Sequence, residues 1–393
     1  MGVVKPLLLV GRSPAADNVG LGDENRIVRL RLPNSAPSDD RDAALIVDDG
    51  DWTAAQANGF RIAVGRDACP DGASPSYLRL PAGFAEVGDG DVMSIYPRSG
   101  RVRLLYRRSS RHNFFLVTER CNNYCLMCSQ PPKKVDDGWL IDEIAEALPL
   151  LDPATPALTF TGGEPLTEWR RFIGLLELSR DRLPGTAIHV LTNGRAFSVP
   201  EVAHAWAEIG HPQLSAGIPI YAAVDHIHDY VVQAAGAFDE TVLGVLRLKN
   251  LGQRVEIRIV LHAITAPRLR ETCSWIARNL PFVDHVALMG MENTGFAVAN
   301  DATLWIDPVD YQEQLKAGVD ALSVAGVHVS IYNLPLCVLD AGIRPFAVQS
   351  ISDWKNAYVA ECDDCSVRHE CAGFFSTGRP KFSRGIAAIP RRA

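Results

Sequence analysis

Long apolar runs are missing from this 393-residue chain: stretches such as Pro6–Val10 fall far short of the roughly 18 residues a membrane helix requires. The opening MGVVKPLLLV holds one lysine and one short apolar patch, too little for a secretory signal. Gly2-Val-Val-Lys-Pro also lacks the serine or threonine of a myristoylation site. Positive charge is in deficit, with 39 Lys and Arg against 46 Asp and Glu and a net charge of −7. A chain living on phosphate contacts carries the opposite balance. Cysteine is scarce, nine residues and an odd number, which argues against a disulfide scaffold and against complete internal pairing. No internal repeat or low-complexity tract is present. The expectations are a cytoplasmic setting, no nucleic-acid partner, no membrane attachment, and two or three domains.

The cysteines that do occur are clustered. Cys121, Cys125 and Cys128 lie close together, as do Cys362, Cys365 and Cys371 with Cys337 upstream; only Cys69 and Cys273 stand alone. Clustered thiols in a reducing compartment read as metal sites, whereas Cys69 reads as a loop thiol and Cys273 as core.

Residues 1–110 read as a mostly β module. Ile27–Leu32, Ala43–Gly50, Phe60–Gly65, Val92–Pro97 and Val102–Arg108 are strand-like, and Pro97-Arg98-Ser99-Gly100 is a hairpin turn. The polar stretch Pro33–Asp42 reads as a loop. From residue 111 to about 300, strands alternate with helices. The strands are expected at Asn113–Thr118, Ala157–Thr161, Ala187–Thr192, Leu214–Tyr221, Val255–His262 and Asp284–Met289. Helices are expected over Ile141–Leu151, Glu168–Arg182, Val199–Ile209, Glu240–Leu251 and Pro267–Leu280. Thr167 and Asp239 serve as predicted N-caps, Pro200 opens a helix, and Gly252 closes one. Six β–α units imply a parallel sheet with its active-site loops at the carboxyl ends of the strands, and are too few for an eight-fold barrel. Beyond residue 300 one more helix (Tyr311–Ala325) and strand (Val327–Tyr332) precede the second cysteine set, and the tail Gly385–Ala393 is expected to fray.

The segment Cys121-Asn-Asn-Tyr-Cys125-Leu-Met-Cys128 offers three thiolates and no nearby histidine. Structural zinc wants four ligands, whereas three on a cubane iron–sulfur cluster leave one iron open to a chelating small molecule. Strand 157–161 runs straight into Gly162-Gly163-Glu164-Pro165, where two glycines permit close backbone approach. Thr192-Asn193-Gly194 follows the third strand; it is either an ordinary left-handed turn or a ligand contact.

The Cys-x3-Cys-x2-Cys spacing after the first strand, with the Gly-Gly-Glu-Pro turn after the second, resembles the radical S-adenosylmethionine (SAM) superfamily. The resemblance implies an open, partial (β/α)6 TIM-like barrel. It also implies a [4Fe–4S] cluster on Cys121, Cys125 and Cys128, and SAM on the open iron. Reduction by an external one-electron donor then splits SAM to a 5′-deoxyadenosyl radical. SAM contacts are implied for Met127, Gly162, Gly163, Glu164, Asn193, His262 and Met289. Met127 takes a place that is often aromatic in the family. Tyr221, His262 and Glu292 are candidates to face the substrate, with Asn293 beside the last.

Cys337-x24-Cys362-x2-Cys365-x5-Cys371 supplies four thiolates, enough to close a structural zinc site. Its core also resembles the SPASM and Twitch extensions of peptide-modifying radical SAM enzymes. That likeness implies one auxiliary [4Fe–4S] cluster as electron acceptor in a C-terminal auxiliary-cluster domain (301–393). Phe375 stands where a full SPASM domain has a further cysteine. CNNYCLMCSQPP (121–132), the stretch 217–262, LMGMENTGFA (288–297) and NLPLC (333–337) resemble the His-Xaa-Ser system maturases of the HxsC type. This likeness implies a substrate with His-Xaa-Ser repeats and a companion radical SAM protein. Two other readings stay open: action on RNA or a small molecule, and a non-catalytic partner holding a passive cluster or zinc. Asp225, His226, His228 and Asp229 could be a metal site but read better as a polar loop and helix cap. Arg107, Arg108 and Arg111 read as a solvated strand end.

Overall fold

In this computed structural model residues 10–13, 18–32, 43–47, 60–66, 76–84, 87–349, 356–375 and 382–390 are described; Cys69 and Pro33–Asp42 lie outside them. The chain forms two compact units. One comprises Met1–Phe115, Trp139–Leu158 and Glu177–Ala187; the other comprises Leu116–Gly138, Thr159–Leu176 and Ile188–Ala393.

The first unit is built on an eight-stranded mixed sheet. All five expected strands are present, together with the short Val10–Arg12, Asn18–Val19 and Ser76–Arg79. These last three are too brief to leave a periodic signal. Pro97–Ser99 turns the chain between antiparallel strands Val92–Tyr96 and Arg101–Tyr106, and Gly100 takes the φ of +65° that closing the turn requires. Val28, Leu30, Ile46, Val64, Leu78, Phe84 and Met93 fill its core. Arg108 pairs with Asp89 and Asp152, as expected for a strand end rather than a binding patch.

The second sheet has seven strands in sequence order: Asn113–Thr118, Ala157–Gly162, Ala187–Leu191, Leu214–Pro219, Arg254–Leu261, His285–Gly290 and Val329–Tyr332. Pairings from the third strand to the seventh are all parallel. The expected six-unit barrel is therefore one strand short. Helix Gln312–Val324 is followed by Val329–Tyr332, which pairs with the sixth strand from Val286↔Val329 onward. The alternation thus continues past residue 300. Val255, Ile257, Ile259 and Leu261 are buried on one face of the fifth strand, while Glu256 and Arg258 occupy the other.

Two predicted helix caps are corrected. Glu164, not Thr167, caps the short turn Pro165–Glu168 that leads into helix Trp169–Arg182, by accepting from Leu166 N. Asp239 lies inside helix Ala237–Asn250, whose first turn is capped from the preceding helix Asp225–Val232: Asp229 accepts from Gly236 N at 2.6 Å and Phe238 N at 2.8 Å. Asp229→Ala should lower stability by about 1–2 kcal/mol in urea unfolding, the usual worth of such a cap; an unchanged midpoint would contradict this assignment. Part of the tail expected to fray is held: Ser366 N and Ser366 Oγ donate to Ile389 O at 3.0 and 2.8 Å. Just before it, Asp307 accepts from Arg384 N at 3.0 Å and from the Ser383 hydroxyl, while Arg384 pairs with Asp310. Among the described residues no helix is long and apolar enough to cross a membrane.

Candidate functional site

The first barrel strand ends in Thr118-Glu119-Arg120, which Asp137 holds from one side. Thr118 Oγ1 donates to Asp137 at 3.0 Å, Glu119 N at 2.5 Å and Arg120 Nε at 2.9 Å. From the other side the Gly-Gly-Glu-Pro turn zips onto it. Gly163 N donates to Thr118 O at 2.8 Å, and Glu164 N to Arg120 O at 2.8 Å. A Cβ on Gly162 would lie 2.3 Å from Thr118 O, and one on Gly163 2.0 Å from Arg120 O. The two glycines are therefore demanded by the contact between neighbouring strand ends.

Glu164 was expected to face a ligand. In the structure it is 1% exposed, and its carboxylate accepts from Leu166 N at 3.0 Å, Thr192 Oγ1 at 2.7 Å and Asn193 N at 2.6 Å. Burial raises its pKa against the pull of those donors. It fastens the turn after the second strand to the Thr192-Asn193-Gly194 turn after the third. Asn193 Nδ2 then donates to Asn122 Oδ1 at 2.6 Å, and Arg195 Nη1 to Asn123 Oδ1 at 2.6 Å, while Arg195 Nε pairs with Glu240 at 2.6 Å. Asn122, Asn123, Arg195 and Glu240 were missed in the sequence. The adjacent asparagines between Cys121 and Cys125 were the one local signal; their partners are some 70 residues away.

The cysteine loop is clasped along its length. Tyr124 N and Leu126 N donate to Val232 O and Val231 O at 3.0 Å each, and Phe296 N donates to Cys128 O at 2.8 Å. Gly295, at φ +56°, passes so close that a Cβ would lie 2.4 Å from Cys128 O. Met127, 7% exposed, packs with Tyr221, Val231, Val232, Ala297 and Leu304, and Cys125 packs against this group. Met127 is thus an anchor of the loop. Burial pushes the Cys121 thiol up to about 11 and Cys125 to about 12, and raises Cys128 as well; the neighbouring thiols add to the first two. Such thiols stay protonated until a metal takes the proton's place.

The His/Asp segment does not form a metal site. His228 is buried between Tyr221 and Phe238, its Nδ1 accepting from Tyr221 N at 3.2 Å, while Asp229 serves as the cap described above. Asp225, His226, His228 and Asp229 are not arranged to hold a metal ion. His262, fully buried, accepts from Ile264 N at 3.3 Å through Nδ1, and its Nε2 has no partner among the described residues. Met289 accepts from Arg258 Nη2 at 3.0 Å. Glu292 and Asn293 follow the sixth strand, half-buried.

Burial lowers both His228 and His262 from 6.5 to about 4. Between those values the unfolded chain binds more protons, so stability rises with pH across the window and is lost as pH falls through it. The metal-free protein should lose several degrees of Tm between pH 6.5 and 4, and His262→Phe should flatten that slope. An equal slope in both proteins would remove His262 from the account.

The second cysteine set also converges. Cys337, Cys362, Cys365 and Cys371 line one pocket with Leu336, Tyr358, Arg368, Phe374, Ala387 and Ile389. Backbone amides point at sulfur: Leu336 N and Gly373 N lie 3.3 and 3.4 Å from Cys371 Sγ, and Ile389 N lies 3.5 Å from Cys365 Sγ. Cys273, by contrast, is core, packed beside Gly318.

Residues 115–276 match the family model described as the Radical SAM superfamily. Over that segment the chain is similar to radical SAM domains. No curated protein matches the chain in sequence. Among solved structures, SuiB of Streptococcus suis bound to S-adenosylmethionine is similar at 13% identity and TM-score 0.45, covering 58% of this chain and 51% of that one. Native anSMEcpe with bound AdoMet gives 18% identity and TM-score 0.44 over 56% of this chain and 62% of that one. A radical SAM methyltransferase from Sphaerobacter thermophilus gives 14% and 0.44, over 62% and 73%. The chain thus spans about half the length of SuiB.

Radical SAM proteins use a [4Fe–4S] cluster and SAM. The donor set of this chain fits that pair. Three thiols sit on one loop, Cys125 against an apolar bed, without a fourth protein ligand in the loop, and the loop is locked to the turns after the second and third strands.

Proposed function

We propose that this chain is a radical SAM maturase that modifies a peptide or protein. The observation that carries the reading is the lock between the three-cysteine loop, the Gly-Gly-Glu-Pro turn and Asn193, all within the matched segment. Cys121, Cys125 and Cys128 would hold the cluster, whose fourth iron takes SAM. When bound, the pair supplies a 5′-deoxyadenosyl radical, given one electron from an external reductant.

The chain's own residues do the positioning. Asp137, Glu164 and Arg195 hold three strand-end loops in register, so the thiols stay where the strand ends put them. Met127 and Tyr221 keep the bed under the loop dry, and a dry site shields a radical from water. Cys337, Cys362, Cys365 and Cys371 would hold one auxiliary [4Fe–4S] cluster, closed by four thiolates and supported by amides aimed at sulfur, as iron–sulfur sites are tuned. The stretches that resemble the HxsC type support a substrate with His-Xaa-Ser repeats and a companion radical SAM maturase.

The test is anaerobic reconstitution of the full chain, with iron, sulfide and zinc measured per chain alongside dithionite-driven SAM cleavage. About eight irons, no zinc and 5′-deoxyadenosine are expected for two cubanes. About four irons and one zinc would keep the SAM chemistry and make the C-terminal thiols a structural clamp. A loaded cluster that never cleaves SAM would sink the enzyme reading.

A further inference from the structure

The face of the barrel sheet opposite Val255, Ile257 and Ile259 carries a belt of charged, imidazole and hydroxyl side chains. It crosses five neighbouring strands. His189 Nδ1 meets Ser215 Oγ at 2.9 Å; Glu256 accepts from Arg258 Nη1 at 2.6 Å and pairs with His285 Nδ1 at 2.7 Å; His285 Nε2 meets Ser330 Oγ at 2.9 Å. His189 Nε2 lies 3.4 Å from both Glu256 and Arg258 Nη1. Gly217 keeps the belt's centre open, since a Cβ there would lie 2.6 Å from His189 Nε2 and 3.1 Å from Arg258 Cδ.

The belt is lopsided. Glu256 is saturated, with Arg258 and two imidazoles around its carboxylate. Arg258 is compensated along one edge only. Nη1 serves Glu256, whereas the sole partner of Nη2 among the described residues is the Met289 thioether, a weak acceptor. A guanidinium has five N–H groups in a planar fork that suits a carboxylate. Its side chain remains 17% exposed. Met289 is the penultimate residue of strand His285–Gly290, and the chain beyond it runs through Met291 and Gly295 to the cysteine loop.

We propose that the free edge of Arg258 is a carboxylate-binding site on the inner face of the barrel, selecting an acidic side chain of the peptide substrate. Met289 is the soft contact that an incoming carboxylate displaces. A cationic side chain would find no acceptor there, because Glu256 is fully engaged. The inference rests on the reading of a peptide substrate.

Its test separates the two. The reconstituted full-length protein with SAM is used to select from a random peptide library displayed on phage, and each selected peptide is synthesised in acid and amide forms. Selected sequences should share an Asp or Glu at one position. Replacing that residue by Asn or Gln should weaken binding about tenfold or more, the worth of a charge-assisted hydrogen bond. Arg258→Gln should erase the difference while leaving SAM affinity unchanged. Should that variant not fold, Arg258→Lys keeps the charge without the fork and should bind the acidic peptide severalfold more weakly; equal affinity overturns the proposal. So does a selection without acidic enrichment, or discrimination that survives Arg258→Gln. A fall in SAM affinity alone would give Arg258 to the SAM carboxylate and also overturn it. Failure of SAM cleavage, in contrast, counts against the enzyme reading while the peptide selection still reports on Arg258.

Discussion

Cys125→Ala should reduce 5′-deoxyadenosine formation by about a thousandfold or more, to background, because two thiolates do not hold a SAM-binding cubane in place. With the auxiliary cluster proposed above on the C-terminal thiols, about four irons per chain should remain. The fold should persist: Cys125 is half-buried and contributes one small side chain to the bed formed by Met127, Tyr221, Val231 and Val232. Cys273→Ala is the matched control. That thiol is fully buried and packs beside Gly318, so its loss should cost stability and leave the iron count and SAM cleavage intact. Wild-type cleavage by the Cys125 variant would remove the loop from the chemistry, whatever its resemblance.

Gly163→Ala should be the most damaging single methyl group in the barrel. The added carbon would sit 2.0 Å from Arg120 O and 2.5 Å from Arg120 C, both backbone atoms that cannot swing aside. Relief requires parting the ends of the first two strands, which breaks the bonds from Gly163 N to Thr118 O and from Glu164 N to Arg120 O. A loss of about 3 kcal/mol or more is expected in urea unfolding, together with SAM binding. Gly174, in helix Trp169–Arg182 with nothing within 4 Å of its would-be Cβ, gives the opposite expectation: Gly174→Ala should stabilise by up to about 1 kcal/mol. Equal stability of the Gly163 variant and wild type would falsify the strand-end contact as the reason for that glycine.

Much of the site was legible because its parts are local. The cysteine spacing, the two glycines after a strand and the Thr-Asn-Gly turn each occupy a few consecutive residues, and the six strands between residues 113 and 290 follow from short apolar runs set between helical ones. The seventh strand was seen as an element but not as a member of the barrel. Nothing in Val329–Tyr332 says which edge it will join; that follows only once helix Gln312–Val324 has returned the chain to the sixth strand.

The sequence by itself determined the clustering of the cysteines, the alternating barrel and the absence of a membrane-length apolar run, since these depend on residue type and spacing along the chain. Tertiary structure alone decided what the polar groups do. Glu164 carries no sequence mark showing that its carboxylate turns inward to Leu166, Thr192 and Asn193. Arg258 likewise carries none showing that Glu256 takes one edge of its guanidinium and leaves the other to a thioether. Hydrogen bonds are short and directional, so their pairing is set by which strand ends come within about 3 Å of one another. That is a property of the folded sheet, and the chain order does not contain it.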